Sequence, residues 1–538
     1  MRQTTLTILL SICSICAHAQ SAYDGLMFSE NDYEGTARSV AMGNAFTALG
    51  GDLGSINLNP AGSAVAGYSQ FTVTPGLTFS AATAQGVSPY ANGTLPYFER
   101  HIKSNMTRFS IPNAGLTMNW DTNRSSGLKN ITFGFVMNRT ATWDEDVYAN
   151  GTNSTTSFMG SLAYQTDGIP AAELNSEYAY DNIPWNSVVG YGSNMISPYG
   201  PEGNRYAGAS QLVFDTGLVL GGPLEQSYGR RVTGGKNDYV FNIGANFSDF
   251  LYIGVNLGMT SIDYNMDEYF KEAAVDPTRF NIAFTDGSAY FESMKYKYSY
   301  SANGSGVYGK FGAIVTPGAG FRIGAAISTP VANEIVERWS MSGETTFSSS
   351  KYNGYEASPE GEYRYTFISP FRANFGLAYT FRNIAILSAD YELCDYSTME
   401  FRADAYDKDV FDEVNRDIRT IFGLSHMFRA GAEVKIGALS VRAGYGLTTS
   451  PEEADAEGKK IPVSAKPLKQ NISFGLGYSS KGSFFADFAM KRNFVVKEYY
   501  MPYPDYEFDS EGEIIEYAPE LLISKSAWKA VLTLGWRF

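Results

Sequence analysis

The sequence predicts an all-β protein, a transmembrane antiparallel β-barrel of about fourteen strands. Three observations predict it: a C-terminal segment whose two faces differ, recurrence of that alternation along the chain, and connections that alternate between short and long. In the C-terminal segment Trp528, Ala530, Leu532, Leu534, Trp536 and Phe538 fall on one side of an extended strand. Ala527, Lys529, Val531, Thr533, Gly535 and Arg537 fall on the other. Side chains alternate across a strand with period two, so one face is apolar with aromatic ends and the other small or polar. A tilted strand of about 9–11 residues crosses the hydrocarbon core of a bilayer, with aromatic girdles at both interfaces.

The same pattern recurs in Ile131 to Met137, Tyr239 to Phe247, Leu251 to Met259, Leu439 to Leu447 and Ile472 to Tyr478. In each, the intervening face carries Gly, Asn, Ser, Thr and occasional charges, which reads as a half-buried strand. Short connections fall near Asp121 to Gly127, Ser248-Asp249, Pro317-Gly318, Phe381 to Asn383, Gly437-Ala438 and Ser480 to Gly482. Longer segments lie between them, as in barrels with short periplasmic turns and long extracellular loops. Strands are expected to start near Tyr68, Thr107, Lys129, Gly235, Phe250, Phe291, Ala319, Gly361, Asn383, Thr420, Ala438, Leu468, Ser483 and Ile523. Six short turns and seven long loops put both chain ends on the periplasmic side.

Composition agrees. The 538 residues include 37 Tyr, 35 Phe and 54 Gly, which suits aromatic belts around a lumen lined by small residues. A net charge of −15 argues against a nucleic-acid partner. The acid gathers in Asp404 to Asp417, Glu452 to Glu457 and Asp505 to Glu520, read as solvated loops. No run of about 18 apolar residues supplies a transmembrane helix. At the N-terminus, Met1-Arg2, the apolar stretch Leu6 to Cys16 and Ala17-His18-Ala19 read as a signal peptide over residues 1–19, with the mature chain starting at Gln20. Ile12 and Ile15 precede Cys13 and Cys16, unlike the small residue of a lipoprotein signal. Cys394 is then the sole cysteine, and no intramolecular disulfide is expected. The stretch from about Asp144 to Gly234 is the largest insertion. Its apolar pieces Phe158-Met159, Leu212 to Phe214 and Leu218 to Leu220 suggest a partly ordered cap over the barrel mouth.

Residues from Gln20 to Gly67 do not read as strands. Thr36 to Leu49 is a helix-like run of small residues, broken at Gly50-Gly51-Asp52 and followed by Asn59-Pro60-Ala61-Gly62. Proline fixes its own φ and restricts the residue before it, so Asn59-Pro60 is a defined turn. The order Ala37-Arg38, Ala41 to Ala45, Asp52 and Asn59 to Gly62, behind a signal peptide and ahead of a barrel, resembles the FadL/TodX family of outer-membrane transporters. A strand ending in a terminal aromatic, here Phe538, likewise resembles the C-terminal signature of bacterial outer-membrane barrels. The resemblance implies a fourteen-stranded barrel from residue 68 to 538 and a small N-terminal helical hatch, residues 20–67, in its lumen. It implies passive uptake of hydrophobic small molecules such as long-chain fatty acids or aromatic hydrocarbons, hatch movement, and lateral escape through the wall. Outer-membrane lipid, lipopolysaccharide and the barrel-insertion machinery are the other expected partners. A similar fold and motif occur in PorV-like proteins of type IX secretion, so binding of protein partners is the alternative.

On this reading Asn59, Pro60, Ala61 and Gly62 gate the hatch. Tyr23, Leu26, Met27 and Phe28 are apolar enough to reach a ligand pocket, or else plug the lumen. Strand phase turns Lys310, Arg322, Arg372, Arg429, Arg442 and Lys491 to the lumen, where Arg322, Arg372, Arg429 and Arg442 are candidates to hold a carboxylate head. Asp238, Asp390, Glu433 and Asp487 share that face, and structural ion pairing is the competing reading. An enzyme is not expected. His101 falls in a loop and His426 turns to lipid, leaving no base for a nucleophile. No P-loop, dinucleotide fingerprint or metal motif is present, and no cofactor is expected.

Overall fold

The computed structural model describes residues 21–87, 98, 101–174, 183–214, 217–382, 384–403, 409–455, 458–462, 466, 468–480, 482–504, 506–508 and 514–538. The expected signal peptide, Asn383, and parts of the acidic runs (404–408, 456–457, 505 and 509–513) lie outside the described residues.

Fourteen strands form a closed antiparallel barrel. The first seven are β1 Gln70–Val87, β2 Ile102–Asp121, β3 Leu128–Thr142, β4 Leu224–Phe247, β5 Leu251–Ala274, β6 Gly287–Gly318 and β7 Phe321–Ser328. The rest are β8 Arg372–Phe381, β9 Ala385–Asp395, β10 Leu424–Ile436, β11 Leu439–Thr449, β12 Leu468–Ser479, β13 Phe484–Tyr500 and β14 Glu520–Arg537. Each pairs with the next, and β14 closes on β1 from Gln70↔Arg537 to Val87↔Glu520. Outside, Leu77, Phe79, Phe135, Phe241, Leu257, Phe311, Ile323 and Leu377 are exposed and form an apolar belt. A closed barrel leaves no unsatisfied sheet edge, and with such a belt it is the all-β way to span a bilayer. Among the described residues no helix is long and apolar enough to cross a membrane.

The strands on one side rise far beyond the belt. In β5 the outward series Val255, Leu257, Met259 gives way to the exposed Asp263, Asn265 and Asp267. Residues Glu145–Asn153 continue β3 in register on β4, and Ala332–Phe347 and Gly361–Ile368 continue β7 and β8 upward as a hairpin. The expected 144–234 insertion is therefore shorter. Its first strand and the stretch from Leu224 belong to the tall wall, where both faces meet polar or capped surroundings and the membrane pattern fades. Between them, helices α3 (Phe158–Thr166) and α4 (Trp185–Gly192) and two small hairpins make the cap. Phe158 stacks on Phe270 with ring centroids 5.4 Å apart and lies 5.0 Å from Tyr296, so the cap sits inside the upper barrel. The acidic run read as a loop ends differently as well. Asp412–Ile421 is helix α5, whose Ile418 and Ile421 are buried one turn apart.

Candidate functional site

The N-terminal segment occupies the lumen. Helices α1 (Ala22–Ser29) and α2 (Ala37–Ala41) are N-capped by Ser21 and Thr36, and two 3-10 turns follow at Leu53–Asn57 and Pro60–Val65. Wall glycines make room for it. A Cβ on Gly312 would stand 2.0 Å from Asn59 Oδ1, one on Gly324 2.2 Å from the Thr47 carbonyl, and one on Gly254 2.4 Å from Pro60. On the opposite wall, a Cβ on Gly444 would stand 2.1 Å from Gly43 N and one on Gly431 2.4 Å from Met42 O. All but the Asn59 contact are to backbone, so side chains there would expel the hatch. Asn59 caps the second turn by accepting from Ala61 N, while its amide donates to Thr47 O at 2.7 Å and to Ala313 O of β6 at 3.1 Å. Pro60, Ala61 and Gly62 are buried behind it.

Wall cations grip the upper hatch. Lys529 donates to Glu34 at 2.5 Å and to Asp32 at 3.0 Å, and Lys491 pairs with Asp32. Burial alone would raise the Asp32 carboxyl, but the Lys491 and Lys529 ammonium groups outweigh it and hold that carboxyl well below the usual range. Asp32 and Glu34 also give their N–H groups to the Thr140 and Arg139 carbonyls of β3, at 2.7 and 3.0 Å.

All four arginines singled out from sequence reach the lumen. Arg442 bonds Glu433 at 2.7 Å and Asp487 at 2.5 Å, and Arg322 donates to the Leu49 carbonyl at 2.6 Å. Arg429 lies 3.3 Å from Glu392, 3.9 Å from Asp390, and over the Tyr33 ring. Arg372 donates to Glu392 at 2.9 Å and to the Ser29 carbonyl at 2.5 Å. Tyr23 packs edge-on against Phe422, Leu26 and Met27 join the same apolar cluster, and Phe28 is buried against Phe367 and Trp143. Sequence reasoning missed Glu392, the acid shared by two arginines, and Lys236. Lys236 donates to the Phe28 and Glu30 carbonyls at 2.8 Å each. His426 accepts or donates at 2.8 Å with Tyr391 at the outer wall.

Among the described residues, two irregularities of the wall adjoin the hatch. The first separates β2 from β3. Their ladder runs from Asp121↔Asn130 to Asn113↔Asn138 and stops, while β2 continues on β1 to Ala84↔Ile102 and β3 on β4 to Thr142↔Gly235. Phe109 and Ile111 stand exposed beside the gap, and the Arg108–Asp144 pair, at 3.4 Å, bridges it. The second lies between β7 and β8 at the roots of their upper extensions. Ser328 pairs with Arg372 and Ala332 with Ile368, which sets Pro330 opposite Pro370 in the three-residue interval between. Neither proline has an N–H to offer, but the interval stays bonded, with Ser369 N–H donating to the Val331 carbonyl at 3.0 Å and Val331 N–H to Ser369 Oγ at 3.1 Å. Behind them is a cavity of ≈ 40 Å³ bounded by Phe28, Ser29, Asn31, Tyr33 and Asn57 of the hatch and by Lys236, Lys310 and Arg372 of the wall.

No family model matches the chain, and no curated protein does. Solved structures match across nearly its whole length. A FadL homologue of Pseudomonas aeruginosa is 11% identical, with 94% of this chain and 99% of that one covered and a TM-score of 0.50. A TodX deltaS2S3 mutant monoaromatic hydrocarbon channel is 13% identical, with 94% and 100% covered and a TM-score of 0.50. The fold is that of the FadL-like barrels.

Proposed function

We propose that this chain is an outer-membrane channel of a Gram-negative bacterium for passive uptake of hydrophobic small molecules, long-chain fatty acids or aromatic hydrocarbons. The observation that carries the reading is the parting of β2 and β3 at mid-wall in a barrel filled by a cap above and a hatch below. An apolar ligand gains by passing sideways into lipid rather than through polar surroundings below. The hatch, up to Gly67, is the gate. Its turn Asn59 to Gly62 is the fixed base, and the segment Phe28 to Glu34, which covers the gap by bonding β3, is the part that moves. Tyr23, Leu26, Met27 and Phe28 contact the ligand chain, and Arg322, Arg372, Arg429 and Arg442 set the lumen charge that meets an acidic head. The solved channel for monoaromatic hydrocarbons that shares the fold supports the substrate class.

The test is a clasp across the gap. Arg108→Cys with Asp144→Cys, in a Cys394→Ser background, places two thiols where an ion pair now bridges the strands. Oxidised cells lacking their own transporter should take up labelled oleate or toluene at least fivefold more slowly than reduced ones, at equal folded barrel. Equal rates in both redox states overturn the lateral route. A second reading, binding of protein partners as in the PorV-like proteins, is favoured by one observation. The hairpin Gln211–Phe214 and Gly217–Leu220 leaves Val213, Phe214 and Val219 in solvent. No uptake of either ligand class by the unmodified protein would move the conclusion there.

A further inference from the structure

The arginines on the outer face of the tall wall are paired. Arg231 meets Asp146 at 3.1 Å, Arg338 meets Glu362 at 2.8 Å and Arg364 meets Glu334 at 2.9 Å. The lysines of the same face are not. Lys271 of β5 stands directly opposite Lys295 of β6, and Tyr269 directly opposite Lys297. Strand phase turns all four outward, because Phe270, Glu272 and Met294 between them are buried inside. Among the described residues none of the three ammonium groups pairs with a carboxylate. Glu344 lies across the next strand from Lys295, yet it is the weakest of the groups acting on that lysine. The Lys295 pKa is lowered, by burial first and then by the Lys297 and Lys271 ammonium groups. Like charges directly opposite on neighbouring strands destabilise a sheet, and an anion bound between them relieves that.

An aromatic shelf adjoins these charges. Tyr148 and Tyr269 flank Gly229 of β4 on the outer face, each in register with it. A Cβ on Gly229 would collide with the Tyr269 ring, so the ring lies over bare backbone there. The Lys271 and Lys295 ammonium groups stand 5.3 and 5.4 Å from the centre of that ring. The ring face attracts both cations and offsets part of their repulsion. It does not use up the three N–H donors that each ammonium carries. Aromatic faces beside unpaired ammonium donors suit one ligand chemistry, a sugar that bears an acid. The C–H face of the sugar packs on the ring, and its carboxylate or phosphate takes charge-assisted bonds from the lysines.

Height decides which acid can reach the cluster. Met259 is the last exposed apolar residue of the outward series in β5, and Tyr269 lies ten residues further along. At about 3.3 Å per residue and a tilt of roughly 40°, that is about 25 Å above the belt. Phospholipid head groups add only about 5–8 Å to the hydrocarbon layer. The face also looks sideways along the membrane, not up toward the mouth of the barrel. The chain carries a net charge of −15, which repels a free polyanion, so the cluster suits a ligand already tethered beside it at high effective concentration. We propose that Lys271, Lys295 and Lys297, with Tyr148 and Tyr269, bind the acidic polysaccharide of the lipopolysaccharide in the surrounding leaflet. The proposal rests on the channel reading only for which end of the barrel faces the cell surface. It needs no ligand to be delivered, so its test is separate from uptake.

The full-length protein is purified in detergent, with folding checked by heat-modifiable gel mobility. The probe is fluorescein-labelled polysaccharide released by mild acid from the lipopolysaccharide of the protein's own host strain. Binding is read by fluorescence polarisation at low salt, where surface charge is least screened. The same polysaccharide with its carboxyl groups reduced and its phosphates removed is the neutral probe. The acidic probe should bind at least fivefold more tightly than the neutral one. Lys271→Gln with Lys297→Gln should weaken the acidic probe at least fivefold and leave the neutral probe within about 1.5-fold. Tyr269→Ala, which removes no charge, should weaken both probes at least threefold. Lys351→Gln with Arg402→Gln removes the same charge elsewhere on the outer surface and should change neither by more than about 1.5-fold. Equal affinity for the two probes, undiminished binding in the double lysine variant, or an equal loss in the Lys351 and Arg402 control overturns the proposal. A chain that fails to take up oleate or toluene and still binds the acidic probe in this pattern rejects the channel reading and keeps this one.

Discussion

Lys529 of the last strand holds Glu34 of the hatch at 2.5 Å, joining residues 495 positions apart in the chain. The same ammonium reaches Asp32, and Lys491 reaches Asp32 from the next strand. These contacts fix the upper hatch where it covers the β2–β3 gap.

The Asp32 carboxyl is held low, so its contribution to keeping the hatch closed is fully present above the unfolded value, about 3.9, and fades only as pH falls through the depressed folded value. Uptake should therefore be flat between pH 8 and pH 5. Asp32→Asn should raise it at every pH in that range, about two- to fivefold, measured as labelled oleate per folded barrel. An uptake rise on acidification of the unmodified protein to pH 5 would contradict the latch.

Pro60→Gly frees the backbone at the base of the hatch without adding bulk. Ligand binding to the purified barrel should change less than twofold, while uptake falls at least fivefold because the base no longer holds its turn. Unchanged uptake would remove Asn59 to Gly62 from the gate.

Glycines at the hatch contacts should tolerate no side chain. Gly312→Val would drive a Cβ onto Asn59 Oδ1 and Gly444→Val onto Gly43 N. Both variants are expected to admit small hydrophilic dyes that the unmodified barrel excludes, in a liposome-swelling assay. Gly318→Val, at a short turn with open space around its Cβ, is the control for wall damage; its positive φ strains the turn without touching the hatch.

Phe538 is predicted to be read by the insertion machinery. Its amide donates to Ser69 O at 3.0 Å, closing the last rung of the β1–β14 seam. Deleting it should lower folded outer-membrane protein several-fold more than Phe538→Tyr does, by heat-modifiable gel mobility. Equal folded amounts would count against that role.

The strand count and the strand ends at the short turns were legible in the sequence. Expected starts at Phe250, Ala438 and Ser483, each after a short turn, fall within one residue of β5, β11 and β13, and Leu468, after a long loop, matches β12 as well. Other long-loop ends were not: β4 begins at Leu224 rather than Gly235, and Thr420 lies in α5 rather than at the start of β10. Lipid imposes strict alternation only across the belt, and above it the outer face turns polar while the inner face packs on the cap. The lumenal arginines were legible by phase, since Arg372, Arg429 and Arg442 share the face of Gly376, Gly431 and Gly444. Their shared partner Glu392 was not, because phase tells which way a side chain points and not which of several acids on that face lies at bonding distance. Thr329-Pro330 and Ser369-Pro370 carried a signal that went unread. Proline inside a strand marks an irregularity, but only the register reveals that the two stand opposite each other.

The glycine contacts constrain the order of events by which the molecule is made. The hatch backbone touches walls on opposite sides of the lumen with no space for side chains between, and the cap above blocks the top. A plug fitted that tightly cannot be threaded into a finished cylinder. The curling sheet must wrap around residues 30–66 as it grows, with β14 meeting β1 last, so that the N-terminal segment serves as the mandrel on which the barrel is wound.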